Sequence, residues 1–377
     1  LGAVLGGSAL EDGAVEHWSA LVAPWLECFG ARYEARHLLF RGLRTGRESV
    51  WNALLGPCSI WLERWRNERV ASFVLGPLLH GGGNRPLPEF PIVQWALEWL
   101  KAFTDKADAQ FVFHPLLGRE DVKGEQAAQA VKLAVQWLEA FTDKPEARFV
   151  FHPLLGREDV KSEEAAQAVK LAVRWLEAFT DKAEAGYVFE PLLGREDVKG
   201  EHAAQAVKLA VQWLEAFAEK PDANYVFKPL LGREDVKSEQ AEQAVKLAVK
   251  WLEAFALDRA ASFVLEPLLR SAFRACGATK EEIRIVVHTV TWLTRWGETQ
   301  QAGYVLLAWH VAGWSQSVPN VEITKFAKAW IKVNRGVGSG GPATAISIAL
   351  CPFESPNAAR LISKAQSRSE ERRVGKE

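Results

Sequence analysis

Methionine is absent from the chain, even at position 1. The sequence opens at Leu1 within an apolar stretch, so it reads as an internal piece of a longer reading frame. Cysteine is scarce: Cys28, Cys58, Cys276 and Cys351 are scattered and form no C-x-x-C pair. That usage fits a reducing cytosol and argues against a disulfide scaffold or a zinc site. No charge of one sign dominates: 46 Lys and Arg stand against 47 Asp and Glu, a net charge of −1. No global field then draws the chain to nucleic acid or to an anionic membrane, and neither is expected as a partner. There is no apolar run of about 18 residues, so no membrane span is expected, and no signal peptide opens the chain.

Catalytic signatures are missing as well. His80-Gly81-Gly82-Gly83 suggests an oxyanion loop, but no G-x-S-x-G elbow accompanies it. The glycines of 336–341 are followed by no Lys-Ser/Thr, and no H-E-x-x-H occurs. No enzyme activity, catalytic residue, metal ligand or cofactor is expected. The expected location is cytoplasmic.

What the chain does have is repetition. A Trp-Leu pair recurs at Trp25, Trp61, Trp99, Trp137, Trp175, Trp213, Trp251 and Trp292, with Trp-Ile at Trp330; the commonest spacing is 38. Residues 124–161 and 200–237 differ at only 7 of 38 positions. Such a period identifies a repeat array, in which each unit packs mainly on its neighbours. The fold class expected is all-α, a right-handed α-solenoid of about nine two-helix repeats. Residues 1–11 read as the end of a preceding unit and 12–85 as degenerate N-terminal repeats. Regular repeats follow over 86–278, then irregular ones over 279–366. Residues 368–377 (RSEERRVGKE) match the translation of a sequencing adapter, so 367–377 read as a non-native tail and the source as environmental bacterial DNA.

Each regular unit reads as two helices. In the first, Gln129, Lys132, Gln136 and Glu139 form one narrow polar stripe on an otherwise apolar cylinder, so the helix is buried on several sides. Trp137 and its counterparts, with Phe141 and Phe151, read as packing anchors. The second helix starts near Pro145, tolerated in a first turn. It is expected to turn Ala147, Phe149, Val150, Leu154 and Leu155 inward, to be kinked or shortened by Pro153, and to end at a left-handed Gly156. Arg157-Glu158-Asp159 reads as a solvated turn.

Differences between copied units mark a candidate face. One variable place on the second helix runs Gln110, Arg148, Gly186, Asn224, Ser262. Another, four residues on and hence on the same side, runs His114, His152, Glu190, Lys228, Glu266. These ten residues are the candidate partner-binding face; the alternative is that they are exposed sites free to drift. A third variable place, on the first helix, runs Gln136, Arg174, Gln212, Lys250.

The pattern A-x-F-V-x-x-P-L-L followed by A-x-x-W-L resembles helical-hairpin repeats of the tetratricopeptide and HEAT-like kind. It is also similar to the Trp-Leu hairpin arrays of bacterial NACHT or STAND signalling proteins. The 38-residue period and the lack of W-x-x-L-G-x-x-Y depart from tetratricopeptide repeats. The resemblance implies a non-catalytic scaffold that binds a protein, a peptide or a polar ligand, as the sensor arm of a larger signalling protein. Two alternatives stand beside it: a spacer without a ligand, and an enzyme site in the irregular units around Trp309 to Trp330. The oligomeric state is left open.

Overall fold

The structure is a computed structural model; it describes residues 22, 24–81, 85–159, 163–236, 238–275, 279–311 and 321–334. The expected end of a preceding unit (1–11), the loop at 336–342 and the tail (367–377) lie outside the described residues.

Every described element is helical. The helices are α1 (Ala35–Leu43), α2 (Glu48–Trp65), α3 (Ser72–His80), α4 (Ile92–Phe103), α5 (Gln110–Leu117), α6 (Gly124–Phe141), α7 (Arg148–Leu155) and α8 (Glu163–Phe179). They continue as α9 (Gly186–Gly194), α10 (Gly200–Phe217), α11 (Asn224–Gly232), α12 (Ser238–Phe255), α13 (Ser262–Ala275), α14 (Thr279–Trp296), α15 (Gln300–Val311) and α16 (Val321–Asn334). The chain is an all-α solenoid of two-helix repeats. It divides into two compact units, Leu1–Phe179 and Thr180–Glu377. Within the first, second helices α1, α3, α5 and α7 pack one on the next, as do first helices α4, α6 and α8. Within the second, the same holds for α9, α11, α13 and α15, and for α10, α12 and α14.

The first helix behaves as its pattern dictates. In α6, Ala130, Val131, Ala134, Trp137 and Leu138 are buried, while Gln129, Lys132, Gln136 and Glu139 are exposed. Trp137 is fully buried, and its indole Nε1 donates to the Lys106 carbonyl at 2.8 Å, 31 residues back. Trp99, Trp175, Trp213, Trp251 and Trp330 make the same bond at 2.7–2.9 Å. This explains the residue type. The ring fills the space between hairpins, and its polar edge satisfies a carbonyl of the preceding unit's turn, which Phe could not do. Phe141 stacks on Trp137 with centroids 4.6 Å apart.

The second helix departs from expectation in three ways. Its first turn, Pro145–Ala147, is a separate 3-10 turn, and the α-helix proper, short as expected at eight residues, begins only at Arg148. Phe149 is exposed, whereas Phe151 is fully buried beside Trp175. Residues two apart on a helix point to different sides, so only one of them can face inward. Gly156 has φ −71°, so the left-handed cap expected there is absent. Positive φ falls instead at Gly124 and Gly200, where the turn enters the next first helix.

The turn itself is not solvated charge. The Arg157 side chain is only 8% exposed. Its Nη1 donates to the Leu117 and Arg119 carbonyls at 3.0 and 3.1 Å, and its Nη2 to the Val122 carbonyl at 2.7 Å. Asp159, itself outside, closes a two-point pair with the same guanidinium at 2.9 and 2.6 Å. Arg233 repeats the arrangement on Leu193, Arg195 and Val198. The arginine clamps the turn of the preceding repeat, and the aspartate holds the arginine.

Candidate functional site

The second helices are short, and in seven of the described repeats one ring of the second helix stands outside. Phe73, Phe111 and Phe149 in the first unit, and Tyr187, Tyr225, Phe263 and Tyr304 in the second, are 41–60% exposed. Each follows the first variable place by one residue wherever the repeat is regular. Pro153 and its counterparts sit four residues beyond the exposed ring and have no amide to give to that residue's carbonyl.

The two predicted variable places fare differently. The first is not a free surface. Gln110, Asn224 and Ser262 are buried, and Arg148 and Gly186 are half-buried. A Cβ on Gly186 would lie 3.1 Å from Cζ2 of Trp213. In the irregular repeat, a Cβ on Gly303 would lie 2.4 Å from Trp330. At these two glycines a larger side chain would meet the tryptophan of the following repeat. Ser262 gives its hydroxyl to the Arg259 carbonyl at 3.1 Å. The Gln110 Oε1 and Asn224 Oδ1 atoms are buried without a hydrogen-bond partner.

The second place does border the exposed rings. His114 stands edge-on to Phe149 with centroids 6.5 Å apart. The Lys228 Nζ lies 5.4 Å over the Phe263 ring. In each case the polar residue of one repeat meets the ring of the next. Glu190 and Glu266 are half-buried, and Glu266 pairs with Arg270 at 2.8 Å. In the second unit these residues open onto a cleft of about 510 Å³ lined by Glu190, Gly194, Lys228, Gly232, Glu266 and Arg270. Burial pushes the His114 imidazole below its ordinary value, and the charges of His152 and His80 push it the same way. His152 is exposed.

The exposed rings were missed in the sequence, although a signal was present. At 149, 187 and 225 the residue alternates between Phe and Tyr, whereas at 113, 151, 189 and 227 it is always Phe. A ring that can acquire a hydroxyl without a buried partner is one that reaches water. Among the described residues no group of three or more His, Cys, Asp or Glu is placed to hold a metal ion. No described helix is long and apolar enough to cross a membrane.

No protein-family model matches the chain, and no curated protein does. Among solved structures, it is similar to the RNA-binding domain of yeast Puf5p bound to SMX2 RNA, with TM-score 0.36 and 10% identity over 89% of this chain and 97% of that one. It is also similar to a double mutant of Puf4 bound to a Cox17 RNA 3′ UTR recognition sequence, with TM-score 0.37 and 12% identity over 82% and 99%. Both of those structures hold RNA, against two expectations, that nucleic acid is no partner and that the array is a protein, peptide or polar-ligand scaffold; neither expectation is carried forward. The physical fault lay in arguing from net charge. A whole-chain sum of −1 says nothing about rings, whose attraction for bases is largely independent of charge.

Proposed function

We propose that the array binds single-stranded RNA, with bases stacked on the exposed rings of its second helices. One observation carries this reading: each of Phe73, Phe111, Phe149, Tyr187, Tyr225, Phe263 and Tyr304 leaves a large part of its ring open at the same point of its repeat. Single strands are bound by stacking platforms because every base has a π-face, and unstacked bases then offer their edges to polar side chains. His114 and Lys228, each against the ring of the following repeat, stand where such an edge would come. A duplex keeps its bases stacked on one another and offers these rings nothing.

The test is fluorescence anisotropy with a labelled, mixed-sequence single-stranded RNA of about a dozen nucleotides, with the same RNA as a duplex for comparison. Stacking is worth about 1–3 kcal/mol per base by alanine substitution. Tyr187→Ala and Tyr225→Ala should therefore each weaken binding by roughly 5- to 150-fold, with the helical circular-dichroism signal unchanged. Saturation equal for duplex and single strand, or full affinity in both variants, overturns the proposal.

A further inference from the structure

The charge along the array is unevenly made. The first lysine of the chain is Lys101; before it, every basic side chain other than histidine is arginine. Between residues 32 and 47 there are five arginines and one glutamate. These belong to the hairpin that begins the described part of the first unit, around α1. On α1, His37, Arg41 and the flanking Arg44 fall at i, i+4 and i+7, one stripe of the helix, and all three are exposed.

Two features make this more than a cluster of charge. First, three of the guanidinium groups are parked on rings. Arg36 lies 3.8 Å over Tyr33, Arg32 4.7 Å over Phe29 and Arg44 5.2 Å over Phe40. The Arg36 Nη1 also donates to the Tyr33 carbonyl at 2.9 Å. A planar guanidinium held against a ring has less freedom to lose when it forks onto two oxygens. Second, none of Arg32, Arg36, Arg41 and Arg44 forms an ion pair with a described residue, whereas Arg69 is tied to Asp108 at 2.6 Å and Arg157 to Asp159. Their charge is uncommitted.

The patch is also continuous with the stacking row. Phe40 and His37 both meet Phe73, the first ring of the row, edge-on at 5.7 and 6.3 Å. A strand stacked on Phe73 and Phe111 therefore runs out over α1. Farther along, the residues beside the rings are mixed in sign or neutral, as Glu190, Lys228 and Glu266 are. Phosphate contacts need positive charge, and this is where it is concentrated.

We infer that the arginine-rich hairpin around α1 is the phosphate-gripping end of the RNA path, with Arg36, Arg41 and Arg44 forking onto backbone phosphates while the repeats beyond hold bases. The inference rests on the RNA-binding reading. Its signature is where the salt dependence resides. For single strands, each neutralised phosphate contributes about 0.7 to the slope of log affinity against log salt.

The experiment measures that slope with the full chain and the same labelled RNA, for wild type, Arg36→Gln/Arg41→Gln/Arg44→Gln, the corresponding triple lysine variant, and Tyr225→Ala. The glutamine triple should bind more weakly and lose about 2 from the slope. The lysine triple should keep the slope, and Tyr225→Ala should weaken binding while leaving the slope as it was. If the glutamine triple does not fold, Arg41→Gln and Arg44→Gln, on exposed positions, should each remove about 0.7. A wild type that binds no single strand sinks the RNA reading and this inference together. A wild type that binds, with a slope unmoved by the glutamine substitutions, sinks this inference alone and puts the phosphates elsewhere.

Discussion

Arg157 shows how far one residue's role was hidden in the sequence. Its neighbours Glu158 and Asp159 made it look like surface charge, because nothing local marks three carbonyls some 35 to 40 residues upstream as its partners. Removing it would strand those carbonyls and break a charge-assisted cluster, so Arg157→Ala should cost about 2–4 kcal/mol in urea unfolding. Arg157→Lys should recover little, since an ammonium cannot reach carbonyls and carboxylate in a planar fork. The Arg157 hydrogen bond holds the Asp159 carboxyl below its ordinary 3.8, and Arg119 and Arg233 do the same to Asp121 and Asp235. A carboxyl with a lowered folded value stabilises the fold above its unfolded pKa, and that contribution is lost as pH falls through the folded one. Thermal midpoints should therefore hold from neutral pH down to about 4 and fall below it; Asp159→Asn should flatten that acid limb. The glycines divide in the same unobvious way. Gly124 has φ +61° and Gly156 −71°. Gly124→Ala should cost about 1–2 kcal/mol, while Gly156→Ala, whose Cβ would meet the His152 and Pro153 carbonyl oxygens at 3.4 and 3.7 Å, ordinary contact distances, should be neutral or slightly stabilising.

At the scale of the helix, the first element of each repeat was legible almost residue by residue. Its apolar positions follow a 3.6 period over some five turns, enough length for the pattern to outweigh any single exception. The second element was not. Eight residues rich in Phe, Val and Leu give two turns, and an apolar run that short fits several rotations of the helix equally well. What settles the rotation is the tryptophan of the following repeat, which takes Phe151 and leaves Phe149 outside. The energies should separate accordingly. Phe151→Ala should cost about 3–5 kcal/mol and Phe149→Ala under about 1 kcal/mol, read from urea midpoints at constant m-value. The first variable place is mostly inside: Gln110, Asn224 and Ser262 are buried, and Gly186 lies against Trp213 of the following repeat. Variety at His114 and Lys228 borders open rings instead, and those rings were not read from the sequence.

At the scale of the molecule, the repeat period alone specified a solenoid, because a two-helix hairpin cannot bury its apolar face except against another copy. The period said nothing about ligand. Net charge, the only whole-chain property brought to that question, averaged an arginine-rich hairpin into neutrality. The construction also decides how damage spreads. Trp137 joins its own helix to the Lys106 carbonyl behind it and packs on Phe113 and Phe141, with centroids 6.1 and 4.6 Å away; all of these lie in its own or the preceding hairpin. Trp137→Ala should leave a cavity costing about 3–5 kcal/mol, but the loss should be local. Native-state amide exchange is the measurement that resolves it. Protection should fall most in α4 to α8, whose hairpins share that tryptophan or border one that does, and change least in α14 to α16, whose anchors Trp292 and Trp330 bond to Asp258 and Thr299. Nearest-neighbour coupling requires that gradient. An equal fall in protection across all helices would mean that the chain opens as one cooperative body, and the repeat-by-repeat account of its stability would have to be given up.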